Sequence, residues 1–234
     1  MTAPFVHLEL SRPLEVEESE WISSYLDEQI PSLISHGVVR NGALYRLIPN
    51  PMGRVPPDDK TFLVFYQTDF ARCLNSENHT AWKRVTSNAL RNPKALTTTV
   101  HPDVRNYTLV EVFDPKGVGS ELPPASFMLV AEAAPVNEEE FHRFYREDHA
   151  IMMAKHAGYR RTLHYRIGDL DGGQLEAPDP ILVIHEFDSF EEFGGPITQA
   201  TLVTEFARRV LPKVPMKART MQLVSHNPET AGLL

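Results

Sequence analysis

The chain has 234 residues, of which 42% are hydrophobic and 23% charged, with a net charge of -8. That composition belongs to a folded globular protein and excludes a disordered chain. No stretch approaches the ~18 uncharged apolar residues of a membrane-spanning helix, and no basic stripe suits general nucleic-acid binding. The one cysteine, Cys73, excludes an intrachain disulfide and a cysteine-based zinc site. The first residues lack the basic flank and apolar run of a signal peptide, so a cytoplasmic protein is expected.

Taken in order, the first half predicts a strand at Phe5–Leu10 and a helix opened by acidic residues at Glu17–Ser35. Strands follow at Val39–Ile48 and Phe62–Thr68, then a helix over roughly Ser76–Leu90 and a strand at Tyr107–Phe113. Asp114–Pro124 reads as a linker. The second half predicts a strand at Phe127–Ala133, a helix at Asn137–His156, and strands at Tyr159–Ile167 and Ile181–Phe187. A helix at Thr198–Val210 and a strand at Arg219–Ser225 complete it. The long loops Pro49–Lys60 and Gly168–Pro180 join equivalent strands, and each is a candidate lid.

The halves are related in sequence. At an offset of 120, residues 16–47 lie over 136–167 with eight identities in thirty-two positions, among them Tyr25/Tyr145, His36/His156, Arg40/Arg160 and Arg46/Arg166. About two identities are expected by chance. The expected fold is α+β. Two tandem ferredoxin-like β-α-β-β-α-β repeats, 1–114 and 125–234 with a linker at 115–124, form an intrachain dimeric α+β barrel. Each unit leaves one sheet face to be buried, and closing the two sheets on each other predicts a central lumen that serves as the small-molecule pocket.

The second half resembles the EthD-like domains of the dimeric α+β barrel superfamily. The residues that carry the resemblance are Phe141, Tyr145, Arg146, His149 and Ala150 on the helix, and Gly158, Arg160 and Tyr165 on the turn and strand. Phe187, Asp188 and Ser189 supply the F-D-S-type turn. The resemblance implies a fold shared by cofactor-free monooxygenases, isomerases, polyketide cyclases, lyases and haem enzymes. It also implies that His149 reaches the barrel mouth.

Comparing the halves picks out asymmetric positions: His149 lies over Gln29, His164 over Leu44 and His185 over Phe65. Histidine suits proton transfer near neutral pH. The candidate catalytic set is therefore His149, His164, His185 and Glu186. Tyr145, Tyr165, Arg166, Leu44, Phe65, Tyr66 and His7 are the candidate substrate-binding residues. On a helical wheel His149 falls at the edge of the buried stripe, and strand alternation places Thr162, His164 and Arg166 on the lumen face. Asp148 and Glu28 fall near the centre of the stripe, which predicts buried Asp148–Arg160 and Glu28–Arg40 pairs.

His142, His149 and His156 recur every seven residues, ~10 Å apart along the axis, and cannot share one ion. No metal site and no cofactor are expected. The expected function is a cofactor-independent cyclase, isomerase or lyase acting on a hydrophobic, polyketide-like molecule of secondary metabolism. The alternatives are a cofactor-free or haem-dependent monooxygenase and a non-catalytic binding protein. The expected partners are a small-molecule substrate and, beyond that, a second copy of the chain, with neither nucleic acid nor membrane.

Overall fold

A computed structural model describes residues 4–14, 16–53, 59–68, 103–117, 119, 123–167 and 180–227. Cys73, the helix expected over Ser76–Leu90 and most of the Gly168–Pro180 loop lie outside the described residues. The strands are β1 (Phe5–Ser11), β2 (Asn41–Ile48), β3 (Phe62–Thr68), β4 (Asp103–Phe113), β5 (Phe127–Ala133), β6 (Tyr159–Ile167), β7 (Ile181–Phe187) and β8 (Met216–Asn227). They close into one antiparallel barrel in the order β1-β3-β2-β8-β5-β7-β6-β4. The fold is thus mixed α+β around a closed eight-stranded barrel. Among the described residues, no helix is long and apolar enough to cross a membrane.

The helices lie outside the barrel. The first helical segment runs through α1 (Glu18–Ser23), a π-helical stretch (Ser24–Gln29) and α2 (Ile30–Ser35). The second runs through α3 (Glu138–Phe144), a π-helical stretch (Tyr145–His149) and α4 (Ala150–Met153). Asn137 starts it, its side chain accepting a hydrogen bond from the Glu140 backbone at 3.0 Å, with three glutamates in the first turn. The helix expected over Thr198–Val210 is two short ones, α5 (Pro196–Thr201) and α6 (Glu205–Val210), followed by a 3-10 turn at Leu211–Lys213. Thr204 breaks the run because its hydroxyl caps α6, accepting from the Ala207 backbone at 3.0 Å.

Each π stretch widens the helix by part of a turn and shifts the phase of every residue after it. That shift overturns the wheel. Gln29 and His149 become buried, whereas Glu28 is exposed and Asp148 only partly buried. Asp148 accepts a hydrogen bond from the Thr204 hydroxyl, and Arg160 pairs instead with Asp188. The expected Asp148–Arg160 strut is absent, and Glu28 is not a buried carboxylate. Gly158 lies so close to the backbone of Ser189 that a Cβ there would stand 2.5 Å from its carbonyl oxygen.

Candidate active site

The barrel lumen is filled. Its core is an apolar cluster that includes Val6, Leu8, Leu10, Leu63, Phe65, Leu163, Leu182 and Ile184, with Tyr45, Tyr107 and Tyr165 packed among them. Alternation along β5 carries Glu132 to the same side as Val130 and Met128. There its carboxylate accepts from Arg219 at 2.6 Å and pairs with Arg105. Alternation along β6 and β7 likewise brings Arg161 and Glu186 inward with Leu163 and Ile184. They form a two-pronged ion pair, at 2.6 and 3.1 Å, with both side chains under a tenth exposed.

The expected face assignment is therefore inverted. Leu163 and Tyr165 point into the barrel, while Thr162, His164 and His185 lie under the helices. Both sheet faces are buried here, so apolar residues mark neither as the outer one. His185 and Glu186 face opposite ways, and no His–Glu acid/base pair forms between β6 and β7.

Under the second helical segment four histidines and a tyrosine converge. The rings of His149 and His185 are centred 5.5 Å apart. Tyr145 touches both, its centroid 4.9 Å from His149 and 5.8 Å from His185. On its other side Tyr145 meets His164 at 4.5 Å, and His164 Nδ1 lies 3.2 Å from His142 Nδ1. His185 Nδ1 is 2.7 Å from the Thr162 hydroxyl, which is itself 2.7 Å from the Tyr159 hydroxyl.

His149, His185 and Tyr145 line a cavity of about 260 Å³ between this helix, the outer face of β5, β7 and β8, and α5. The rest of its wall is mostly apolar, including Leu129, Ala131, Met153 and Phe193. Met52, from the first-half loop, closes one side, and neighbouring Pro51 packs against Gly194. The candidate lid loop thus borders the cavity.

Burial keeps these histidines neutral. Desolvation lowers His149 to about 4 and His164 to about 3, and holds His185 well below the ordinary imidazole value. His149 hydrogen-bonds the backbone of Thr201, while its Nδ1 is buried with no hydrogen-bond partner among the described residues. A neutral ring that donates to a carbonyl through Nε2 carries its lone pair on Nδ1. That atom is an unused base.

The candidate substrate-binding residues do not share one place. Tyr145 borders the cavity; Tyr165 and Phe65 are in the lumen core. Arg166 is exposed and pairs with Glu138. Leu44 and Tyr66 pack under the first helical segment, and His7 meets Tyr66 and donates from Nδ1 to the Asn106 Oδ1 at 2.6 Å. Sequence reasoning missed most of the cavity wall. Thr198 and Leu202 come from α5 and its C-terminal end, and Val214 and Met216 from the entry to β8, and no spacing signals that these two places meet the second helical segment.

Under the first helical segment, Glu9 is buried with Tyr25 and Gln29. Its carboxylate accepts from the Tyr25 hydroxyl and, at 3.4 Å, from Gln29. Desolvation raises it to about 7 despite those hydrogen bonds. The His185/Phe65 equivalence also changes. Leu44 faces Val64 and His164 faces Val183, so the offset falls from 120 to 119 between these strands. Tyr66, not Phe65, holds the place of His185.

No family model matches the sequence, and no curated protein matches it either. Solved structures do. An anthrone oxidase-like protein is 13% identical with a TM-score of 0.57, over 98% of this chain and 96% of that one. A candidate monooxygenase of Lactobacillus acidophilus is 11% identical with a TM-score of 0.51, over the whole of both chains. A chlorite dismutase of Candidatus Nitrospira defluvii is 10% identical with a TM-score of 0.56, over 95% and 92%. At these identities the likeness is one of fold, the α+β barrel, and does not extend to the site.

Proposed function

We propose that the protein is a small-molecule oxygenase whose reacting centre is the cavity of His149 and His185. The observation that carries the reading is a neutral, buried His149 in the wall of a mostly apolar cavity, its Nδ1 without a hydrogen-bond partner among the described residues. Such a base takes a proton from an acidic C–H of an apolar aromatic substrate, and burial, which disfavours the imidazolium, keeps the ring unprotonated and free to accept at neutral pH. The carbanion then reduces dioxygen. The carbon keeps one oxygen atom as a carbonyl and the other leaves as water: R2CH2 + O2 gives R2CO + H2O. His185, held by Thr162, is the second proton-transfer group.

The names of the anthrone oxidase-like and monooxygenase neighbours favour oxygen chemistry over the cyclase, isomerase or lyase reading. Those reactions would use the same proton abstraction but lack that support. A haem-dependent variant fits poorly. His149 Nδ1 would suit an axial ligand. The cavity, however, lies below the ~300–1,000 Å³ of ordinary ligand sites, and a porphyrin does not fit in it as packed.

The same reading takes residues 1–114 and 125–234 as two copies of one ferredoxin-like unit, only the second keeping the chemistry. It is supported by the strand order, β4-β1-β3-β2 followed in kind by β8-β5-β7-β6. It is supported also by the ion pairs Arg46–Glu18 and Arg166–Glu138, whose members lie 120 residues apart.

Oxygen uptake with anthrone as probe tests the function. The native protein is expected to consume oxygen, and His149→Ala to lose ~10²–10⁴ of that rate while staying folded. Equal uptake by the two proteins overturns the reading.

A further inference from the structure

A second group of potential ligands lies on the far side of Tyr145 from the cavity. Strand β4 carries an irregularity against β6 between Leu109 and Glu111. Leu109, opposite Tyr165, packs against the lumen core. Strict alternation would send Glu111 the same way. The extra residue instead sets Glu111 opposite His164, on the face under the helix. From that helix His142 comes down beside it.

The ligand atoms of Glu111, His142 and His164 all lie within 4.8 Å of one another. The two histidines approach through the same ring atom, Nδ1, at 3.2 Å. Two imidazole nitrogens bound at ~2.0–2.1 Å to one tetrahedral ion stand ~3.3 Å apart. The first half has Ile22 and Leu44 where the second has His142 and His164, so packing of the shared fold does not require this pair.

We infer that Glu111, His142 and His164 bind a divalent first-row transition-metal ion. Two imidazoles and one carboxylate leave coordination positions open. Glu111 and His142 are both partly exposed, which gives the ion a route in and directs those positions toward solvent. Arg146 Nε holds Glu111 Oε1 at 3.2 Å, which leaves Oε2 for the metal, and Arg146 is itself exposed enough to swing away. The ion would clamp β4 of the first half to α3 and β6 of the second. It is independent of the reaction assigned to the cavity.

The test is titration of the chelator-treated full chain with Co2+, read by visible d–d absorption, and with Zn2+ in competition. One ion per chain is expected. His142→Ala and Glu111→Gln should each weaken binding by at least the ~10–100-fold that loss of even an outer-sphere partner costs. His36→Ala, which removes an exposed histidine elsewhere, should bind as the native protein does. Thermal unfolding shows whether each variant is folded, and Glu111→Gln carries the test if His142→Ala is not. Absence of d–d bands in the native protein overturns the inference. So does native-like binding by both ligand variants.

Discussion

The rings of His149 and His185 meet edge to face with their centres 5.5 Å apart, one on a helix and one on a strand, in the wall of the same cavity. The π stretch before Ala150 brings His149 there, since it rotates a residue from the edge of the helix stripe into the interior. The reaction assigned to the cavity places its two proton-transfer groups in this pair.

Its first consequence concerns acid. The folded pKa of His149 is depressed to about 4 by burial, below the unfolded value of 6.5. The associated stability is fully present above pH 6.5 and is lost as pH falls toward 4. The loss is on the order of 3 kcal/mol. His149→Gln, which copies Gln29 of the first half, should flatten this part of the curve in urea unfolding at pH 4 to 7. An unchanged curve contradicts the assignment.

Glu9 predicts the opposite slope. Its folded pKa is raised to about 7 by desolvation, above the ordinary 4.5. The folded state therefore prefers the protonated acid. Stability from this group is greatest below pH 4.5 and declines as pH rises through 7. Glu9→Gln should keep the hydrogen bonding of the acid and gain on the order of 3 kcal/mol above pH 7 relative to the native chain. Chemical unfolding at pH 5 and 8 gives the comparison.

Arg161 and Glu186 are assigned to the lumen as structure. Arg161→Met leaves a buried carboxylate without its partner and should cost ~3–5 kcal/mol. Adding Glu186→Gln should recover much of that loss. Where the double variant is folded, its turnover should match the native rate. A turnover defect as large as that of His149→Ala would return Glu186 to the catalytic set.

How much of this could be read in the sequence differs by element. β3, β5, β6 and β7 have their expected bounds, because short apolar runs between turn residues mark buried strands. The direction of each face was not readable. Thr162 and His164 alternate with Leu163 and Tyr165 as expected, but both faces of the sheet are covered, so polarity could not say which one is the lumen. The asymmetry between the halves marks His149 as chemistry, but the wheel misplaces it, because a wheel assumes an unbroken α-helical pitch. The seven-residue spacing of His142, His149 and His156 speaks only of histidines on one helix. Its neighbours Glu111 and His164 come from two strands, and Glu111 reaches them through an irregularity of β4 that no local pattern in Tyr107–Phe113 announces.

The methionines give the most direct test of where a substrate binds. Met153 and Met216 line the cavity beside the second helical segment, whereas Met128 and Met221 are in the lumen core. With methyl-labelled methionine, titration with anthrone should shift the methyl resonances of Met153 and Met216 and leave those of Met128 and Met221 in place. Shifts confined to Met128 and Met221 would put the ligand in the lumen and contradict the account.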